Sequence, residues 1–112
     1  MNTGVVSRRF AKALLEYAKA DKAEDKVYEE MKTLSAHYAE VPALRHAIGN
    51  PVLARSKKLA LLQEAAGGDG VSKETKRFFE LVLEDKREDF LQFMAWSYID
   101  LYRDDKKILM GR

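Results

Sequence analysis

The sequence has no cysteine, which excludes a disulfide framework, a thiol nucleophile and a thiolate metal site. No apolar run approaches the roughly 20 residues that a membrane span requires. Charge of one sign is also scarce: 20 Lys and Arg face 18 Asp and Glu, and a net charge of +2 is too small to argue for a nucleic-acid surface. Strand signals are missing, since no stretch alternates steadily and no Asn-Gly or Asp-Gly pair links two β-branched runs. The opening MNTGVVSRRF has no signal-peptide core, and Glu16 comes too early for an acid-poor transit peptide. The chain reads as cytosolic, with any membrane role passing through a protein partner.

What is present is a charge-rich, helix-patterned chain of 112 residues, a length that suits one domain with a modest core. Hydrophobic residues make up 46%, enough to fold and too many for a disordered tail. The reading is an all-α bundle of five or six short helices.

The chain is organised around Phe78 to Tyr102, two helices meeting at the charged corner Glu84-Asp85-Lys86-Arg87-Glu88-Asp89. After the corner, Phe90, Leu91, Met94, Tyr98, Leu101 and Tyr102 recur at three- and four-residue steps and share one face. Gln92, Asp100 and Arg103 fall behind, and Trp96 falls in line with them, so it is expected outside the core. Before the corner, Phe78, Phe79, Leu81, Val82 and Leu83 leave little of the helix polar. Such a helix is either central to the bundle or covered on one side by a partner.

Asn2 and Thr3 are candidate caps for a first helix starting near Gly4 or Val5. That helix carries two stripes. Val6, Phe10, Ala13, Leu14 and Tyr17 form one, and the smaller residues Ala11, Leu14 and Ala18 form a second beside it, suited to close packing. A second helix of about sixteen residues follows, with Val27, Met31, Leu34 and Tyr38 inward and Lys26, Glu29, Glu30 and Lys32 outside. A short helix runs from Pro42 to Ile48 and ends at Gly49-Asn50-Pro51. The next spans about Ala54 to Ala66, with Leu59, Leu61 and Leu62 apolar and Arg55, Lys57 and Lys58 solvated. Gly67-Gly68-Asp69-Gly70 reads as a flexible loop, and Ser72 as the cap of the fifth helix.

Catalytic chemistry is not indicated. His37 and His46 stand in no HExxH spacing and read as surface histidines. The acids of the corner flank Lys86 and Arg87, as in solvated turns. The glycine loop lacks the Gly-Lys-Ser/Thr of a phosphate loop and follows no strand. Arg8, Arg9, Lys12, Lys19 and Lys22 make the first helix basic, but Asp21, Glu24 and Asp25 stand close by and no aromatic interleaving suits base stacking. No catalytic residue, metal ligand or cofactor is assigned.

The surplus is apolar. Helices one and five each carry more hydrophobic surface than one face needs, which suits a groove for a partner helix. With Ala11, Leu14 and Ala18 turned inward, Val6, Phe10, Ala13 and Tyr17 face out. With Phe79, Val82 and Leu83 turned inward, Phe78, Leu81 and Asp85 lie on the neighbouring side. Arg9 and Asp85 then stand at the rims. Phe10 and Phe78 are the expected hot spots, with little expected cost to the fold on truncation.

Three segments resemble a known family. Ser7-Arg8-Arg9-Phe10-Ala11-Lys12-Ala13-Leu14 resembles its opening Arg-aromatic-Ala-x-Ala-Leu pattern. Asn50-Pro51-Val52 with Lys58 and Leu61-Leu62 resembles its middle, and Phe78 to Tyr102 its closing helix, turn and long helix. The family is the N-terminal domain of the delta subunit of bacterial F-type ATP synthase, related to the mitochondrial oligomycin-sensitivity-conferring protein. Its corner usually holds Gly-Arg and a hydrophobic residue where this chain has Lys86-Arg87-Glu88. The resemblance implies six helices, one head-binding domain over residues 1–112 and no catalysis. It implies a stator on top of the catalytic head, at the cytoplasmic face of the bacterial inner membrane. A groove between the first and fifth helices would receive the N-terminal helix of an alpha subunit. The peripheral-stalk b subunit would be reached through a C-terminal domain that this chain lacks. A small helical nucleic-acid-binding regulator is the competing reading.

Overall fold

A computed structural model describes residues 3–109. Six α-helices follow one another: α1 Thr3–Ala20, α2 Glu24–Glu40, α3 Pro42–Gly49, α4 Arg55–Ala66, α5 Lys73–Glu84 and α6 Leu91–Leu109. Two short 3-10 turns, Gly68–Gly70 and Glu88–Phe90, precede α5 and α6. No strand occurs among the described residues. The expected all-α class and six-helix count are what the chain adopts.

Helix α6 is the centre. Leu91, Met94, Ala95 and Tyr98 are fully buried, and α1 and α2 pack against this helix. Lys19 Nζ sits 2.8 Å from Asp105 Oδ1, so α1 and α6 run parallel. The Tyr98 hydroxyl donates to the Glu24 carbonyl at 2.9 Å, and Gln92 Nε2 donates to the Ser35 carbonyl at 3.4 Å, so α2 runs the other way. Ala11 and Ala18 are fully buried. Small side chains let α1 lie close to its neighbour, as the alanine stripe predicts. Val27, Met31 and Leu34 of α2 complete the core with Ile48, Leu62, Phe79 and Val82.

The boundaries have local causes. Ser72 Oγ accepts from the Thr75 amide at 3.2 Å and caps α5, as expected. Pro42 occupies the first turn of α3. Asn2, the other proposed cap residue, lies outside the described residues. Gly67 and Gly68 have φ of 147° and 78°, and the segment expected as a plain loop closes as a 3-10 turn.

Helices α1 and α5 end alike. The Ala23 amide donates to the Ala18 carbonyl and Lys22 to Lys19; Arg87 donates to Val82 and Lys86 to Leu83. This is the Schellman pattern, whose penultimate position is left-handed and favours glycine. Here lysine occupies it twice, with φ of 58° at both Lys22 and Lys86. The corner keeps a glycine-type turn without the glycine.

Two charges expected in solvent are buried. Glu30 is 6% exposed; its carboxylate accepts from the Ser72 amide at 2.7 Å, the Ser72 hydroxyl at 2.8 Å and the Thr75 hydroxyl at 2.5 Å. A negative group on the first turn of α5 satisfies donors that the helix leaves free and meets the positive end of its dipole. Lys58 is 5% exposed and pairs with Glu88 Oε2 at 2.9 Å, fastening α4 to the corner. Residue type alone places both in solvent. Their spacing says otherwise: Glu30 stands three after Val27 and four before Leu34, and Lys58 four before Leu62. His37 is also not simply a surface residue. Its Nδ1 lies 2.7 Å from the Ala65 carbonyl, to which it donates, and it links α2 to α4.

Candidate functional site

The site is a groove between α1 and α5. Lys73 at the start of α5 lies 3.9 Å from Asp21 just beyond α1, and Asp85 shares the groove with Arg9, so the two helices run antiparallel. On α1 the turns that bury Ala11, Leu14, Leu15 and Ala18 leave Phe10, Ala13 and Tyr17 on the α5 side. On α5, burying Phe79, Val82 and Leu83 leaves the line Phe78, Leu81 and Asp85. The concavity measures about 470 Å³, inside the range of about 300–1,000 Å³ for pockets that bury ligands.

The lining is Arg9, Phe10, Ala13, Leu14, Tyr17, Arg77, Phe78, Leu81 and Asp85. Seven of the eight positions expected from the stripes come together here. The eighth, Val6, does not. It is 7% exposed and lies outside the lining. Its helical phase matches Phe10, but it sits one turn nearer the start of α1 and is buried there. Phase alone does not register such cover.

Phe78 needs a second correction. It lines the groove, yet it is only 5% exposed and packs against Phe79 with ring centroids 6.0 Å apart. It is floor and core at once, so its truncation will not spare the fold. The accessible apolar surface belongs to Tyr17 and Leu81, 41% and 42% exposed, with Phe10 half-buried between floor and rim. Two lining residues escaped the sequence reading. Leu14 belongs to both stripes of α1, and turning the smaller one inward leaves it off the expected lining. Arg77 stands four before Leu81, a spacing that places it on the same side of α5.

The electrostatics are plain. Arg77 pairs with Glu80 at 3.1 Å on the exposed side of α5. Neither Arg9 nor Asp85 forms an ion pair among the described residues, so one charge of each sign stands free at the rim. Among the described residues no group of three or more His, Asp or Glu is placed to hold a metal ion. No helix among them is long and apolar enough to cross a membrane. The arrangement is an apolar channel with charged edges, suited to holding another helix by side-chain anchors.

The comparisons with known proteins agree with one another. The family described as ATP synthase delta (OSCP) subunit matches residues 6–111. Over all 112 residues the chain is 56% identical to the ATP synthase subunit delta of Phocaeicola vulgatus, covering 60% of that protein. It is 46% identical to that of Bacteroides thetaiotaomicron across the whole chain, covering 61% of the relative. A more distant relative, the ATP synthase subunit delta of Enterococcus hirae, is 32% identical over 95% of the chain and 58% of its own length. The chain thus spans about 60% of the curated relatives it matches. With the family match running from Val6 nearly to the last residue, the chain belongs to the ATP synthase delta (OSCP) subunit family.

Proposed function

We propose that this chain is the head-binding part of a non-catalytic stator subunit of F-type ATP synthase. Its α1–α5 groove holds the N-terminal amphipathic helix of an alpha subunit on top of the catalytic head. The peripheral-stalk b subunit is reached through a further C-terminal domain, and the link resists rotor torque during proton-driven ATP synthesis. The working place is the cytoplasmic face of the bacterial inner membrane, without direct insertion. The observation that carries this reading is the groove itself, whose Phe10, Tyr17 and Leu81 are more apolar surface than the bundle uses.

Docking an apolar helix face on that channel removes these side chains from water at about 25 cal/mol per Å² of apolar surface. Anchors at i, i+3, i+4 and i+7 of the incoming helix match a channel of this shape. The competing nucleic-acid regulator wants a continuous basic face, whereas Lys19, Lys73 and Lys106 lie against Asp105, Asp21 and Glu24.

The test is a titration of an alpha-subunit N-terminal peptide into the wild type, Phe10→Ala and Leu81→Lys. Phe10→Ala should lose about 2 kcal/mol or more of binding, and Leu81→Lys should abolish it while both proteins stay folded. Unchanged affinity in both would defeat the groove assignment. Binding that weakened steeply with salt and tolerated any anionic polymer would instead favour the nucleic-acid reading.

A further inference from the structure

The α1–α5 groove differs from one end to the other, and the difference lies in its charges. Because the helices run antiparallel, the end of α1 meets the start of α5, and the start of α1 meets the end of α5. At the first of these ends a charge pair crosses between them, with Lys73 Nζ 3.9 Å from Asp21 Oδ2. At the other end no such pair closes. Arg9 lines the groove from α1 and Asp85 from α5, and both are exposed. Neither forms an ion pair among the described residues. Elsewhere cross-helix charges do pair: Lys19 with Asp105 and Lys106 with Glu24. Arg77, the third charge in the lining, is held at 3.1 Å by Glu80 of its own helix. Two unlike charges are left, at one end of an apolar channel and on opposite walls.

A helix laid along the channel keeps its apolar stripe on the floor and turns one flank to each wall. The flank against α1 meets Arg9, and the flank against α5 meets Asp85. Many amphipathic helices share an apolar stripe, so the stripe alone selects poorly among them. Charges at a rim add little affinity, but they reject helices that bring like charge against like and so set partner and register.

We infer that Arg9 and Asp85 select the helix that docks in this groove, which carries an acidic side chain beside Arg9 and a basic one beside Asp85, on opposite flanks of one end of its apolar stripe. Two residues apart on a helix turn through about 200° and rise about 3 Å, so an acid and a base at that spacing meet both walls at nearly one height. The inference rests on the groove reading above, whose occupant is the N-terminal helix of an alpha subunit, and it adds the charge pattern that this helix presents.

The test titrates the alpha-subunit N-terminal peptide into charge-reversed proteins at low and high salt. Arg9→Glu and Asp85→Lys should each weaken binding about fivefold to tenfold. The doubly reversed protein should prefer a peptide in which the acid and base flanking the stripe are exchanged. These differences should shrink as salt rises, because both charges are exposed. Lys12→Glu and Glu84→Lys make the same charge changes at exposed positions of the same helices outside the lining, and should bind like wild type. If Leu81→Lys abolishes binding while Arg9→Glu and Asp85→Lys bind normally, the groove reading stands and this inference falls. Equal losses in Lys12→Glu and Glu84→Lys, differences that salt leaves unchanged, or no preference for the exchanged peptide would also overturn it. A peptide that fails to bind the wild type defeats the groove reading and this inference together.

Discussion

Helices α5 and α6 are neighbours in sequence, but they serve the fold differently. In α6 the residues at the centre of the apolar face, Leu91, Met94 and Tyr98, are fully buried between α1 and α2. In α5 the apolar residues keep to one side more sharply, yet Leu81 is left 42% exposed and the helix sits at the side of the bundle. The central helix is the one with the wider apolar circumference, since α6 also carries Phe93 and Trp96 outside its buried face, 47% and 48% exposed. The central position went to the longer helix, against which both α1 and α2 pack.

The sharpest way to break that contrast is to truncate each helix's apolar residues in turn. Met94→Ala, and Leu34→Ala facing the same core, should lose about 2–5 kcal/mol of stability, read by thermal or denaturant melting. Leu81→Ala should melt within about 0.5 kcal/mol of wild type, as exposed substitutions do. If Met94→Ala melted like wild type, α6 would not be the centre.

Phe78 tests where the two roles overlap. Phe78→Ala should lose about 3–5 kcal/mol of stability and weaken peptide binding as well. Phe10→Ala should weaken binding more than it lowers the melting temperature. Equal effects of the two variants on both readouts would mean that floor and rim are not distinct.

The tyrosines give a pH test of the α2–α6 seam. Burial, reinforced by Glu24, pushes the Tyr98 phenol far above its usual range. Burial and the hydrogen bond to Asp25 push Tyr102 up to about 12. A phenol whose folded value is raised gives up its proton more readily when unfolded. Its contribution is complete below the unfolded value of about 10 and is lost as pH climbs past it. Stability should therefore fall from about pH 10 upward, and Tyr98→Phe should flatten the fall. A melting temperature independent of pH in that range would show these hydroxyls to be solvated.

The smallest expected effect lies at the corner between the two helices. Lys86→Gly should raise stability by about 0.5–1 kcal/mol, because glycine accepts a left-handed φ that lysine holds at a cost. Lys22→Gly tests the same turn at the end of α1. A loss of stability at both sites would mean that the lysine side chains contribute more than the backbone strain removes.

Much of this was legible in the chain before any packing was known. Helix starts and stops followed from Ser72, Pro42 and the glycines, which act within a few residues. The groove followed from two stripes at helical spacing, and Trp96 was placed outside the core by phase alone, as its 48% exposure agrees. Two of the failures share a cause. Glu30 and Lys58 were sent to solvent by residue type, although the spacing of each matched the core face.

By itself the sequence determined what covalent geometry determines: which residues share a helix face, where helices cap, and that α1 and α5 carry apolar surface in excess. Tertiary structure decided which faces were covered. Val6 is buried while Phe10, in phase with it, stays half open. Phe78 serves floor and core together, and Glu30 reaches the first turn of a helix 42 residues ahead. Coverage depends on neighbours brought together by the fold, and helical periodicity carries information only about neighbours three or four residues away.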